Sequence, residues 1–290
     1  MEKFKSFEES VYLNNKTYSA FFIQLYSIAL TCFNWINLPK TIDERFLEKT
    51  LFWRGLSVFF TDEIIGHLAL PALAIGPLNV YDIPTNITAY AANGYQKMGL
   101  TLSDSVLIYN NYTRTPDAEQ IKIFAMRLYE IQRAIDTNIK AQKTPVLIRC
   151  TEKERLTLKN VYMQYDGNAP VIFSSKNFDP TSMTVLKTDA PFVSSDLQVM
   201  KRQVFMEALT YLGIEANTAE KAERLVTGEI TSNMGPTEAY RQSRLKARKQ
   251  ACEMINDMFG LEIDVKFNSE LNLSKIAEGE PLNGNEGLEE

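Results

Sequence analysis

The sequence predicts a mainly helical α+β protein in which two long amphipathic helices flank a small strand-bearing module. Residues 117–143 repeat apolar side chains at alternating spacings of three and four, and residues 193–212 do much the same before Gly213. Thr144-Pro145 ends the first helix, and short apolar runs broken by turn residues follow it. Two helices with narrow apolar seams, joined at one end by a small module, predict a stalk with a head.

Residues 1–116 are expected to begin with three helices. Apolar spacing typical of a helix covers residues 17–35. Thr41 to Glu44 fit a capping box, which predicts a second helix that starts there and runs toward Phe59. A third helical piece is predicted to begin near Asp62 and to end at a proline, Pro71 or Pro77.

Short strands are predicted on both sides of the first long helix. Turn residues break up residues 78–109, which is typical of a small sheet or barrel. In the module, a short helix over residues 158–166 is expected to stop at Gly167. A module of this size cannot bury a large core alone, so the same segment of a neighbouring subunit could complete it. The predicted strands are Val80, 87–90, 95–100 and 106–109 before the helix, and 145–150, 171–174 and 184–186 in the module.

After Gly213, the pattern alternates between helices and polar stretches. A short helix capped by Thr218 is followed by residues 227–237, which carry Gly228, Gly235 and Pro236 and are predicted to form a mobile loop. A helix is expected from Tyr240 to Phe259, where Gly260 ends it, followed by a strand over 261–267. The acidic, Gly- and Asn-rich tail from Ser274 is expected to be disordered.

The composition excludes several classes of site. The 290 residues carry a net charge of −5, so any contact with nucleic acid must be local or made by symmetry. The three cysteines lie far apart and form no CxxC motif, which indicates reduced thiols in a cytosolic setting. The single histidine, His67, lies among apolar residues, which favours a core or interface role. Zinc binding and Cys-His or Ser-His catalysis are thereby excluded, and no metal or cofactor is expected.

Motifs for enzymatic chemistry or membrane insertion do not occur in the sequence. It has neither a phosphate-binding GxxxxGK[ST] loop nor a GxGxxG motif after a strand. A catalytic acid pair among carboxylates such as Glu44, Glu152 and Glu154 stays open, but nothing singles one out, so we expect a protein that is not an enzyme. The most apolar windows, residues 18–38 and 64–78, are interrupted by polar residues or by glycine and proline, so no transmembrane segment is predicted.

One charge run stands out near the C-terminus. Five basic residues lie between positions 241 and 249, and no acidic residue lies between Tyr240 and Ala251. Such a run is typical of a solvated helix face or of ion pairs between subunits. The alternative is a collar that faces DNA phosphates at the foot of the predicted loop. Lys201-Arg202, on the second long helix, has the same two interpretations.

Three strings in and beside the module resemble the head–tail connector, or upper collar portal protein, of small short-tailed phages of the Picovirinae type. They are AQKTPVLIR at 141–149, GNAPVIF at 167–173 and KTDAP at 187–191. Weaker matches, such as Asn37-Leu38-Pro39 and Leu212-Gly213-Ile214, keep the same order and spacing over roughly residues 18–267.

This resemblance implies a portal fold with a wing, a two-helix stem and a small α/β clip, assembled as a dodecameric ring at one capsid vertex of the virion. The implied partners are further copies of the chain, double-stranded DNA in the channel, the major capsid protein or scaffold, a packaging ATPase, and lower collar or tail proteins. Assembly would take place in the host cytoplasm, and no membrane is involved. The implied parts are the N-terminal wing at 1–116, the first stem helix at 117–143, the clip at 144–192, the second stem helix at 193–213, a short helix and channel loop at 214–242, a C-terminal wing helix and strand at 243–267, and a disordered acidic tail at 268–290.

The resemblance also nominates residues for three kinds of contact. Lys201, Arg202, Arg241 and Arg244 are the candidates for basic rings in a DNA channel. The channel-loop candidates are Gly228, Asn233, Met234, Gly235 and Tyr240, and the clip candidates are Arg149, Tyr165, Asn168 and Lys187.

The chain departs from the family pattern at two places. Glu2, Glu8 and Glu9 offset Lys3, Lys5 and Lys16, so the strongly basic N-terminal arm used with a packaging RNA is missing, and an RNA partner is doubtful. Asp196 stands where the family places a basic residue early in the second stem helix, whereas Lys201 matches a family lysine.

Ring geometry agrees with the implied function. Twelve helices packed about 10 Å apart give a ring about 38 Å across at the helix axes and a bore of about 28 Å, which admits a DNA duplex about 20 Å wide. Residues 117–143 hold four acids and five bases, so the wall would be nearly neutral. A uniformly basic bore would bind DNA too tightly to let it slide. The alternatives are another ring-forming collar or tail adaptor protein of the virion and, less in keeping with the sequence, a cytosolic DNA-modifying enzyme.

Overall fold

A computed structural model describes residues 2–74, 76–141, 146–148, 183–185, 191–215 and 227–268. The chain divides into two compact units. Unit 1 comprises Met1–Tyr129 and Arg202–Glu290, and unit 2 comprises Glu130–Lys201. The helices are α1 (Glu2–Leu30), α2 (Glu44–Arg54), α3 (Ala118–Ala141), α4 (Ser194–Leu212) and α5 (Thr227–Phe259). The strands are β1 (Phe33–Ile36), β2 (Leu56–Asp62), β3 (Gly66–Ala74), β4 (Ile87–Tyr90), β5 (Gln96–Leu100), β6 (Ser105–Tyr109), β7 (Val146–Ile148), β8 (Met183–Val185) and β9 (Asp264–Phe267).

The main sheet of unit 1 is antiparallel, with five strands in the order β5-β4-β3-β2-β6. Aromatic and β-branched residues of β2 suit its place inside the sheet, between β3 and β6, because such side chains pack well on a pleated surface. Phe59 pairs with Ala69 on one side and with Val106 on the other, and it is fully buried. One face of the sheet forms a compact apolar core of Val58, Phe60, Ile87, Ala89, Leu100 and Leu107.

Strands β4, β5 and β6 confirm the sequence prediction of short strands before the first long helix. The structure contradicts the prediction of a strand at Val80, which lies in a turn between the bridge-paired residues Leu78 and Pro84. The predicted third helical piece, from Asp62 to Pro71, is also wrong. Residues 66–74 form β3, because the Asp62 carboxylate accepts hydrogen bonds from the backbone N–H groups of Ile64 and Ile65 and so fixes the turn of a β2–β3 hairpin.

Two predicted helices end earlier than expected. Helix α1 starts at Glu2 and stops at Leu30, and β1 follows in place of the predicted helical residues up to Trp35. The cause is a pairing that is distant in sequence, since β1 forms a two-stranded sheet with β9 in which Phe33 lies opposite Phe267. Helix α2 ends at Arg54 and does not reach Phe59, because Gly55 adopts a left-handed φ of 74° and a Cβ there would lie 2.8 Å from Pro116 N.

The predicted capping box at Thr41 is replaced by a simpler cap. Asp43 is the N-cap of α2, and its carboxylate accepts a hydrogen bond from Phe46 N at 2.6 Å. The Thr41 hydroxyl donates instead to the carbonyl of His67 on β3. His67 itself stacks on Phe59 and hydrogen-bonds Thr61 through its ring nitrogen, as expected of a histidine that belongs to the packing.

The two long helices of the prediction are confirmed as α3 and α4. Gly213 ends α4 with a φ of 81°, which is the left-handed conformation expected of a helix-terminating glycine. In unit 2, strands β7 and β8 pair antiparallel, which agrees with two of the predicted strands of the module. The predicted helix over 158–166, the strand over 171–174, the helix after Thr218 and the tail from Ser274 lie outside the described residues.

The predicted mobile loop over residues 227–237 is helical. Helix α5 begins at Thr227 and continues without a break to Phe259, with Pro236 inside it. Glycine and proline lower helix stability by about 1 and 3 kcal/mol per residue, but neither forbids a helix, and a proline removes only one backbone hydrogen bond. The C-terminal half of α5 is buried through apolar residues and two arginine ion pairs, and the turns before it extend this packed helix. The end of α5 before Gly260 is confirmed, and β9 begins at Asp264, three residues later than predicted. No helix in the described ranges has an apolar stretch long enough to cross a bilayer.

Candidate functional site

The basic run of helix α5 places three arginines on one side of the helix. Arg241, Arg244 and Arg248 are separated by three and four positions, so they project from one face, which we call the arginine face. Packing of α5 within unit 1 covers two of them, since Arg244 is 3% exposed and Arg248 is 2% exposed. Neither a solvated helix face nor a phosphate-facing collar describes these two side chains. Contact between Arg244 and DNA stays a prediction, and the burial of this side chain in the single chain does not support it.

Arg244 forms a two-point ion pair with Asp117 at the start of α3. Its Nη2 donates to Asp117 Oδ1 at 2.8 Å, and its Nε donates to Oδ2 at 3.3 Å. The hydroxyl of Tyr211, from the last turn of α4, donates to the same Oδ1 at 2.8 Å. The guanidinium carbon also lies 4.6 Å from the centroid of the Tyr211 ring. One carboxylate thus joins the beginning of α3, the end of α4 and the middle of α5.

Burial and charge act together on the ionisable groups of this cluster. Burial raises the pKa of the Tyr211 phenol, and the neighbouring Asp117 carboxylate raises it further. Burial alone lowers the pKa of Arg244, but the attraction of Asp117 reverses that effect and leaves it above its ordinary value. Both shifts favour the protonated forms, in which Tyr211 donates its hydrogen bond and Arg244 is a cation.

Arg248 forms a second buried pair one helical turn further along. Its Nη2 and Nε donate to the two oxygens of Glu48 on α2, at 2.8 and 3.0 Å. Glu48 also accepts a hydrogen bond from Trp35 Nε1 at 2.8 Å, and Arg248 donates to the backbone carbonyl and side-chain oxygen of Asn110. The guanidinium lies 4.0 Å from the centroid of Phe33. All the polar atoms of this pair are satisfied by neighbours, as a buried ion pair requires.

A cavity of about 10 Å³ lies between the two ion pairs. Its lining includes Cys32, Asn110 and both members of each pair. That volume is near the minimum that holds one water molecule, and the polar lining supplies hydrogen-bond partners for it. The Cys32 thiol beside it is fully buried, and burial raises its pKa to about 12. The space is too small for a ligand, so these groups support the fold and do not form a binding site.

Arg241 is the most accessible member of the arginine face, with a side chain that is 20% exposed. Its Nε donates to the carbonyl of Gly213 at 2.9 Å, which is the residue that ends α4. Its Nη2 lies 3.1 Å from Glu215 and its Nη1 lies 3.0 Å from Glu238. The guanidinium also packs on the ring of Phe267, with the centroid 4.6 Å away. Every nitrogen of this arginine has an acceptor.

The remaining basic candidates lie on α4. Lys201 Nζ donates to Gln132 Oε1 of α3 at 2.8 Å within unit 2, and Arg202 is exposed in unit 1. In unit 2 the side chain of Asn138 also bonds Val193 and Ser194 at the start of α4. Within unit 2, the structure therefore places Lys201 of α4 against Gln132 of α3.

The loop and clip candidates have separate outcomes. Gly228, Asn233 and Met234 lie in the first turns of α5, and Gly235 is exposed on the same helix. Tyr240 is also exposed, and the centroid of its ring lies 5.4 Å from that of Tyr211. The clip candidates Arg149, Tyr165, Asn168 and Lys187 lie outside the described residues.

Sequence reasoning missed the two acidic anchors, Glu48 and Asp117. One signal could have found Glu48, because it lies between Leu47 and Leu51 on the apolar stripe of α2, where an acid needs a buried partner. Asp117 carries no such signal, since an aspartate before a helix is typical of an ordinary N-cap. No group of histidine, cysteine and acidic side chains suited to a metal ion occurs in the part of the chain that the structure describes.

Comparison with known proteins identifies the family. The family model described as Phage Connector (GP10) matches residues 4–272. The chain is similar to a structure titled "Portal and tail of native bacteriophage P68", with a TM-score of 0.52 and 18% sequence identity over 96% of this chain and 94% of that one. It is also similar to an HK97 family phage portal protein from Corynebacterium diphtheriae, with a TM-score of 0.43 and 9% identity over 90% and 94% of the two chains. A chain of the neck of a native gene transfer agent particle, computed with C12 symmetry, gives a TM-score of 0.43 and 10% identity over 89% and 82%.

The family match covers nearly the whole sequence, so it reaches both units and extends over each of the helices described above, apart from the first two residues of α1. The P68 match shows that the chain has the fold of phage portal proteins, and its mixture of helices and antiparallel sheets agrees with that fold. The chain therefore belongs to the phage connector family and is a portal, or head–tail connector, protein.

Proposed function

We propose that this protein assembles into a dodecameric ring at one vertex of the virion head, where it is the channel for packaging and ejecting the genome. The single observation that carries the proposal is the connector-family match over residues 4–272. The ring would also be the platform on which a packaging ATPase docks first and the tail proteins dock later. Residues 1–116 and 243–267 would form the wing against the capsid protein, and residues 144–192 the clip that faces motor and tail.

The antiparallel pair of α3 and α4 supports a stem role for these helices. In unit 1, Arg127 pairs with Glu207 at 2.6 Å, and Phe124 packs against Tyr211. In unit 2, the Lys201–Gln132 and Asn138–Ser194 contacts continue the same pairing of the two helices. A helix of 24 residues such as α3 spans about 36 Å at a rise of 1.5 Å per residue, which suits the wall of a channel.

Exposed apolar side chains on α3 support contact with further copies of the chain. Ile123 and Met126 are 53% and 49% exposed in the single chain and lie one helical turn apart. A ring needs a head-to-tail interface between two different surfaces of the subunit, and such interfaces are apolar at their centre. We therefore assign the Ile123–Met126 face of α3 to contact with a neighbouring copy.

Charge on the two helices suits a duplex that must slide. Lys201 and Arg202 are the basic residues that we propose to form rings of positive charge, repeated by symmetry around the bore. The surrounding acids and bases of residues 117–143 nearly cancel, so the rest of the wall would release few counterions from the DNA. A duplex would then be centred by a few basic rings and would stay free to move.

Two measurements test this function. Native mass spectrometry of the purified chain gives the number of subunits, and a DNA-packaging assay with purified heads gives the amount of DNA taken up. We expect a dodecamer, and we expect heads that carry the ring to take up DNA to a nuclease-protected state. The double variant Lys201→Glu with Arg202→Glu should form the same dodecamer and protect less DNA. A matched double variant, Lys246→Glu with Lys249→Glu, reverses the same charge on α5 and should package normally.

Two results would refute the proposal. One is a chain that stays monomeric at the concentrations used for assembly. The other is a dodecamer whose presence or absence makes no difference to the DNA protected in the head.

A further inference from the structure

We propose that Arg241 is a positioning residue that fixes the two ends of the 216–240 stretch to each other and does not itself contact DNA. The inference rests on the proposed channel function, because the family resemblance places a channel loop within residues 214–242. It replaces the expectation that Arg241 belongs to a basic ring. We call the group formed by Gly213, Glu215, Glu238, Arg241 and Phe267 the Arg241 anchor.

The first part of the argument is the close approach of two backbones. Gly213 ends α4, and a Cβ at this position would lie 2.8 Å from the Cα of Arg241. Only a residue without a side chain allows the end of α4 to lie this near the backbone of α5. The end of α4 at Gly213 therefore lies directly against the backbone of α5 at Arg241.

Hydrogen bonds of Arg241 hold that point together. The side chain bonds the Gly213 carbonyl and the Glu215 carboxylate, both of which precede the stretch, although Glu215 and Arg241 are 26 positions apart in sequence. Glu238, one turn back on α5, takes the third nitrogen, and Phe267 of β9 covers the face of the guanidinium. Arginine suits such a role because its planar fork bonds several acceptors in fixed directions.

The charge balance of the anchor argues against phosphate contact. Arg241 lies within 3.1 Å of two glutamate carboxylates, so the three groups together carry one net negative charge. A DNA phosphate would have to displace Glu215 or Glu238 from its hydrogen bond with the guanidinium, and the remaining carboxylate would repel it. Direct contact with DNA, as part of a basic ring, therefore conflicts with the contacts of Arg241. A positioning role agrees with every one of these contacts.

Three variants separate the two roles. Arg241→Gln removes the guanidinium and its charge. Arg241→Lys keeps the charge but loses the planar guanidinium. Glu215→Gln keeps Arg241 but replaces a charged acceptor with a neutral amide oxygen. Lys246→Gln is the matched control, since it removes one positive charge from an exposed position on the same helix. All four are made in the full chain and studied as assembled rings.

Hydrogen–deuterium exchange of the rings is the primary measurement. In the three anchor variants, we expect the backbone amides of residues 213–215 and 235–241 to exchange about tenfold faster than in the wild type, because charge-assisted hydrogen bonds that close this point are lost. Exchange in β2 and β3 should not change, and Lys246→Gln should match the wild type throughout. Unchanged exchange in Arg241→Gln and Glu215→Gln would overturn the proposal.

DNA retention in packaged heads is the second measurement, and the two models predict opposite signs for Glu215→Gln. If Arg241 positions the stretch, this variant loses retention as Arg241→Gln does, although it removes a negative charge. If Arg241 contacts phosphate, Glu215→Gln retains DNA as well as or better than the wild type, and Arg241→Lys is nearly normal. That second pattern would overturn the proposal. Failure of the proposed function would appear elsewhere, as wild-type protein that forms no ring or packages no DNA.

Discussion

At the scale of single residues, the basic run of α5 shows that neighbouring basic residues of one helix can be either buried in ion pairs or exposed at the surface. A sequence cannot tell a buried arginine from an exposed one when both follow helical spacing. The structure separates them, because Arg244 and Arg248 each meet a carboxylate from a distant part of the chain, at Asp117 and Glu48. Neither acid was singled out from the sequence, although the place of Glu48 on the apolar stripe of α2 is a signal that could have found it. The sequence thus predicts that basic residues would form the candidate DNA site, but it does not show which of them are accessible.

The Arg244–Asp117 pair should be far more important for stability than an exposed pair. Asp117→Asn leaves the Arg244 cation buried without a counter-charge, so we expect the free energy of unfolding to fall by about 3 kcal/mol or more. Glu207→Gln removes the exposed Arg127–Glu207 pair, and it should cost less than about 1 kcal/mol. Urea denaturation at fixed protein concentration measures both. Equal losses in the two variants would contradict the role given to the buried pair.

The buried cysteines give a pH-dependent prediction. Burial raises the pKa of both Cys32 and Cys252 to about 12, so in the folded protein both remain protonated thiols well above pH 9. The protonated form is favoured by folding, so this contribution to stability is complete below the ordinary thiol pKa and is lost as pH rises from about 9 toward 12. In a Cys150→Ser background, we expect Ellman's reagent at pH 8 to modify neither thiol until denaturant is added. Rapid modification of the native protein would contradict their burial.

At the scale of elements, local patterns predicted the long helices and failed where distant strands decide the structure. The periodicity of α3 and α4 is continuous over many turns, and the structure matches it within three residues at each end. Residues 33–36 and 66–74 follow helical spacing too, but each finds an antiparallel partner strand that no local window contains. Residues 227–237 show the opposite case. Their glycines and proline predict a loop, but these residues continue the helix that extends to Phe259.

The end of α4 supplies a test at this scale. Gly213→Ala should destabilise the protein more than Gly94→Ala, although both residues have a positive φ near 80 to 90°. Alanine costs about 1 to 2 kcal/mol in a left-handed conformation, and at Gly213 its Cβ would also clash with the backbone of Arg241. At Gly94 no atom lies within 4 Å of the added Cβ. Thermal denaturation compares the two, and equal shifts in the melting temperature would contradict the close approach of α4 and α5.

At the scale of the whole molecule, the account depends on assembly, because a single chain has no channel. The comparisons show the family, the fold and the connector role, whereas the dodecameric ring, its bore and its partners are what we propose. The sequence could predict this much only through the strings at residues 141–149, 167–173 and 187–191, since composition and periodicity alone indicate no more than a stalk with a head.

The exposed face of α3 should carry contact between subunits. Ile123→Asp with Met126→Glu places two charges where we assign an apolar contact, so we expect loss of the ring with little change in the fold of the monomer. Ile64→Asp, on the β2–β3 turn, is the control. Ile64 is apolar and almost fully exposed, and its replacement should leave ring assembly unchanged. Size-exclusion chromatography with light scattering measures the mass, and circular dichroism checks the fold. A full-size ring from the α3 double variant would refute this assignment.

Electron microscopy of the purified full-length protein tests the central claim most directly. The connector account predicts closed rings with twelvefold rotational symmetry and a central bore of about 28 Å, wide enough for a hydrated DNA duplex. A protein that forms no closed ring, or rings whose bore is narrower than the roughly 20 Å of a DNA duplex, would contradict it.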